Sequence, residues 1–167
     1  MRTMSKHMFG RFLLTVIVTA ACSAMAMAQT AVQGVWKVTE RTTTGQNAGT
    51  NKSPQPGYYI FTPKHYSIMF VSSTAPRPDL PADASKATDK QIRDAWQPFT
   101  ANSGTYEVKG SEITIRPLVA KNPNFMKPKN FQILTFRVDG NTLTVTLKAN
   151  QDGPINDAAT VKLMRVE

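Results

Sequence analysis

Polar chemistry in proteins is carried mostly by histidine, cysteine and paired carboxylates, and this sequence holds few of them. Its two histidines are His7 and His65, and its single cysteine is Cys22. A zinc site gathers several His, Cys, Asp or Glu ligands, yet the chain has no histidine pair, no H-E-x-x-H and no C-x-x-C. It also lacks a G-x-S-x-G elbow and a glycine-rich phosphate loop ahead of a helix. His65, followed by Tyr66, is left as the candidate general acid or base, because an imidazole titrates near neutral pH. It reads equally as a strand-start histidine bonded to a neighbour. Glu40 and Glu107 fall in strand-like segments and read as partners for Arg41, Arg116 or Arg137 rather than as a glycosidase pair. No catalytic residue, metal ligand or cofactor motif is assigned.

Recognition of an apolar molecule has more support. Tyr58 (or its neighbour Tyr59), Tyr66, Phe70, Trp96, Tyr106, Phe131 and Phe136 could wall a cavity, with Arg116 or Arg137 as a charge for an anionic head group. An apolar, aromatic lining with one or two fixed polar groups is the usual composition of a ligand pocket. The same rings could instead fill the interior and leave no space.

These side chains need elements to hold them, and the period of the chain after its first 28 residues is two. Segments 33–41, 58–62, 65–71, 104–109, 112–118, 131–138, 142–148 and 159–166 alternate or are rich in β-branched and aromatic residues. Gly34, Trp36 and Val38 fall on one side of the first, with Lys37, Thr39 and Arg41 on the other. Ile113 and Ile115 share a face opposite Thr114 and Arg116. Pro63-Lys64, Gly110-Ser111 and Gly140-Asn141 fit tight hairpins. Eight short strands in sequence order predict an all-β antiparallel meander, which leaves two exposed edges unless it closes into a barrel. A two-layer sandwich has the same periodicity.

One short helix is inserted between the third and fourth strands. Thr88-Asp89-Lys90-Gln91 reads as a capping box, Ile92, Ala95, Trp96 and Phe99 follow at helical spacing, and Pro98 stops the helix near Gln97. Residues 42–56 hold no large apolar side chain and read as a mobile loop. In residues 120–130, Phe125 and Met126 either tuck onto the barrel or form a flap at its mouth.

The N-terminus predicts export. Arg2, Lys6 and Arg11 precede an apolar stretch from Phe12 to Val18, and small residues end at Ala26-Met27-Ala28. That is the layout of a signal peptide over residues 1–28, cleaved after Ala28, with the product periplasmic or secreted. Lipid attachment at Cys22 is the alternative. The formal charge of the whole chain is +9, but the basic residues are scattered and no run of five like charges occurs. Such a pattern predicts a solvated surface rather than a nucleic-acid interface, and no integral membrane span remains after cleavage.

Gly34-Val35-Trp36 on the first strand resembles the G-x-W signature of lipocalins. The longer strings GVWKVTERTT, PGYYIFTPKHYSIM, PFTANSGTYEV and KLMRVE are similar to the lipocalin-like domain proteins of bacteria, over nearly all of residues 32–167. The resemblance implies a lipocalin-like barrel domain over 29–167, with Trp36 closing one end and a basic residue of the last strand, Arg165, packed on its ring. It also implies a small hydrophobic or amphipathic ligand. A filled barrel acting as an envelope or interaction protein, and a barrel isomerase or cyclase using His65 and a tyrosine, stay open beside it.

Overall fold

The computed structural model describes residues 29–167; the segment expected to be a signal peptide, residues 1–28, lies outside them. Ten strands form one antiparallel sheet: β1 (Gly34–Thr43), β2 (Gly49–Asn51), β3 (Gly57–Phe61), β4 (His65–Val71), β5 (Phe99–Lys109), β6 (Glu112–Ala120), β7 (Gln132–Asp139), β8 (Thr142–Asn150), β9 (Gly153–Pro154) and β10 (Thr160–Arg165). Strands β2 and β9 are short flaps paired to β1 and β8. The other eight run β1-β3-β4-β5-β6-β7-β8-β10, and β10 pairs with both β8 and β1. The sheet is therefore a closed eight-stranded barrel, in which each of these strands has a paired neighbour on both sides.

Local sequence explains most of this order. Lys109 pairs with Glu112 across Gly110-Ser111, and Asp139 with Thr142 across Gly140-Asn141. Both glycines sit at positive φ, as two-residue hairpins favour. Leu143, Val145 and Leu147 point in along β8 while the threonines between them point out.

Trp36, Phe61, Tyr66, Ile113, Leu143 and Leu163 fill one end of the barrel, and Val32, from the helical turn at 29–32, plugs it. The Trp36 indole Nε1 donates to the Val32 carbonyl at 2.7 Å. Trp36 pairs with Arg165 across β1 and β10, and the guanidinium carbon lies 4.0 Å from the centre of the ring. Arg165 also donates to the carbonyls of Gln33 (2.6 Å) and Ala31 (2.9 Å), tying the N-terminal turn to the last strand. Gly34 is crowded here: its φ is +127°, and a Cβ would strike the Glu167 carbonyl and the Arg165 side chain. The Gly-x-Trp spacing thus has a steric cause at the first position as well as a packing cause at the third.

Four local expectations change. Residues 42–56 are not a featureless loop, because β1 continues to Thr43 and turns back as β2, with Thr42 and Thr50 hydroxyls 3.1 Å apart. Strand β5 begins at Phe99, five residues before 104, so Phe99 is a strand residue and not part of the helix face. The helix spans Asp89–Trp96 with the Thr88/Gln91 capping box formed. The third change carries the most consequence. The β1–β10 register slips between Val38 and Glu40. A bulge adds one residue to one strand and reverses the alternation beyond it. Trp36 and Val38 face inward before it; after it Arg41, not Glu40, is on the inner side, opposite Val161. Last, β6 and β7 pair over only four positions, Glu112–Ile115 against Gln132–Thr135, so the wall parts above them.

Candidate functional site

Above the packed end the barrel is hollow. A cavity of about 340 Å3 opens at the opposite end from Trp36. Its floor and walls are Tyr59 of β3, Ile68 and Phe70 of β4, Ile115 of β6, Leu134 of β7, Val145 and Leu147 of β8, and Val161 of β10. Phe99, Phe125 and Ala159 line the mouth, with Gln97, Asn122 and Gln132 adding polar edges. Phe125 sits in the turn Pro123–Met126, beside the stretch where β6 and β7 separate.

Two cations line this cavity, Arg41 and Lys121, and no carboxylate does. They differ in what they already hold. The Lys121 ammonium donates to the carbonyls of Trp96, Gln97 (3.1 Å) and Phe99 (2.7 Å), which uses its three donors and pins the end of the inserted helix to β6. Burial and the Arg77 charge both hold the pKa of Lys121 below the ordinary lysine value. Arg41 is far less committed. Its guanidinium lies 5.3 Å from the Phe70 ring centre and makes one long contact, 3.4 Å, to the Ser72 carbonyl. Its Nε is buried without a hydrogen-bond partner. Phe70 in turn stacks near Tyr59, with centroids 6.4 Å apart. Burial pushes the Tyr59 phenol up to about 12, against the opposite pull of Arg41, so it remains a neutral hydroxyl at physiological pH. Arg41 also edges an open outer groove formed by Thr43, Thr50, Lys52, Ser72 and Thr74, so it stands where the interior meets solvent.

Of the nine aromatic and arginine candidates read from the sequence, Phe70 lines the cavity, and Phe136 packs against the core without lining it. Tyr66 and Tyr106 are inward but lie in the packed end. The Tyr66 hydroxyl donates to Asn102 Oδ1 at 2.7 Å, which places Asn102 in the cavity wall above it. Tyr106 donates to the Thr62 carbonyl at 2.7 Å and meets Phe61 edge-on. Burial raises the pKa of both phenols.

The remaining five are corrected. Tyr58 is 38% exposed on the outer face, and its neighbour Tyr59 takes the inward position. Arg116 points outward, as its alternation with Ile113 and Ile115 requires, and covers the Phe131 ring outside the barrel at 5.9 Å. Phe131 is therefore engaged outside as well and does not line the cavity. Arg137 is exposed and pairs with Asp139 at 3.4 Å. Trp96 is 55% exposed, with the Lys121 ammonium over its ring, and does not reach the cavity. His65 is exposed at the closed end, in the turn where the Thr62 amide donates to its carbonyl at 2.8 Å, and it does not line the cavity. Arg41, Lys121, Ile68 and Leu134 were not singled out from sequence for this site. Only the strand-like segments of β4 and β7 carried a signal, for Ile68 and Leu134.

Among the described residues no three His, Cys, Asp or Glu side chains cluster as a metal site, and no helix is long and apolar enough to cross a membrane. No curated protein matches the chain. The family model for the lipocalin-like domain matches residues 33–165, which takes in the barrel from the strand bearing Trp36 to Arg165. With the barrel closed through those same two strands, the chain belongs to the lipocalin-like domain family.

Proposed function

We propose that this protein is exported and carries a small hydrophobic or amphipathic molecule in the open half of its barrel. The observation that supports the carrier role is the cavity itself. At about 340 Å3 it lies within the usual range for small-molecule pockets, and its inner surface is mostly aliphatic and aromatic. Space of this kind is not needed to stabilise a barrel, since unfilled volume forfeits contacts. Thermal unfolding with medium-chain fatty acids, fatty alcohols and isoprenoids, against polar controls, tests it. A ligand at a hundredfold its Kd stabilises by about 2.7 kcal/mol, a rise of several degrees in Tm. If no apolar class raises Tm, the carrier role is lost.

Export rests on the basic start, the apolar stretch Phe12–Val18 and the small residues before Gln29. The mature protein recovered from an exporting cell is expected to begin at Gln29 by intact mass. A product beginning at an acylated Cys22 would replace cleavage after Ala28 by lipid anchoring, and an unprocessed chain would remove both.

A further inference from the structure

We propose that the ligand is a compact monoanion, a carboxylate whose head sits against Arg41 at the cavity mouth and whose apolar body fills the space below. This deepens the carrier reading and rests on it. An arginine side chain facing an apolar cavity costs desolvation unless an anion or several acceptors meet it. Here the buried Nε has no partner, and among the described residues the guanidinium's hydrogen bonding comes down to the long contact to the Ser72 carbonyl. No carboxylate is present among the cavity-lining residues to neutralise it. The ion pairs among the described residues all lie elsewhere: Lys86–Asp83, Lys90–Asp94, Arg137–Asp139, Lys148–Glu112 and Lys162–Glu40.

The bulge in β1 sharpens the point. Regular alternation would turn Glu40 inward and Arg41 out; the slip after Val38 reverses them and leaves Glu40 outside, beside Lys162. The neutral Tyr59 phenol, in the same wall, is a second donor close to Arg41. The guanidinium fork matches a planar carboxylate. One cation with free donors suits one negative charge, because Lys121 is already spent on three carbonyls. Size limits the rest. A cavity of about 340 Å3 is at the small end of the range for small-molecule pockets, so the ligand is a small one.

Decanoate and decanol, matched in length and differing in the head, are the probes. By calorimetry at pH 8 the protein is expected to bind decanoate at least tenfold more tightly than decanol. Arg41→Met should bring the two within about twofold while decanol affinity is kept, and Lys121→Met should leave the preference in place. On the unmutated protein, lowering the pH should erase the preference as the acid protonates, near the carboxyl range of ~4–5. This arm needs no variant to fold. Equal binding of acid and alcohol at pH 8, or a preference that survives Arg41→Met, overturns the anionic head while leaving an apolar carrier. Failure of both probes to bind overturns this proposal, while the carrier role falls only if the wider panel of apolar classes also leaves Tm unchanged.

Discussion

Replacing Trp36 by alanine is expected to destabilise the domain by about 3–5 kcal/mol, the range for removing a large buried aromatic side chain. Three losses coincide at this position. The side chain is fully buried, so its removal opens a void in the packed end. The Val32 carbonyl loses the indole N–H that satisfies it at 2.7 Å. Arg165 loses the ring face it covers at 4.0 Å, a contact of about 0.5–2 kcal/mol by itself. In a domain of this size the melting temperature should fall on the order of 10–20 °C. Trp36→Phe should keep most of the apolar packing but orphan the carbonyl, and so cost about 1–3 kcal/mol. Urea unfolding of the two variants separates these contributions. A loss below 1 kcal/mol for the alanine variant would mean that the closed end is held by other contacts and that the Trp36–Arg165 seal is incidental.

Filling the cavity should have the opposite signature, loss of binding with the fold kept. Val161 lies on β10, opposite Arg41 in register, and faces the open space. Val161→Phe directs a ring into that space. The overpacking cost of about 1–3 kcal/mol that attends a larger side chain in a filled core should be largely avoided. Tm is expected to stay within a few degrees, while affinity for any apolar ligand bound by the unmutated protein drops on the order of a hundredfold, about 2.7 kcal/mol. Unchanged affinity would place the ligand somewhere other than the barrel interior.

How far the site could be read in advance differs from residue to residue. Leu143, Val145 and Leu147 alternate without interruption, so the inward row of β8 was visible as a pattern. Arg165 is in phase with Val161 and Leu163 on a short regular strand, so its meeting with Trp36 followed once the first and last strands paired. Arg41 could not be found in this way. Counted by twos from Trp36 it falls on the outer face, and only the slip after Val38 brings it in. Arg116 and Arg137 show the converse. Their type suited an anionic head group, but regular alternation puts both outside, over Phe131 and beside Asp139. Lys121 belongs to a loop in sequence, and its role appears only where the ends of β6 and the inserted helix meet.

The amino-acid sequence by itself determined the number of main strands, the glycine-centred hairpins and the capping box of the one inserted helix. Each of these follows from local spacing, because a two-residue period and a positive φ are properties of neighbours along the chain. Tertiary structure alone decided that the other half is hollow and that Arg41 turns toward it. Empty volume depends on how rows from eight strands meet across the barrel, and a single extra residue in one strand reverses every orientation beyond it.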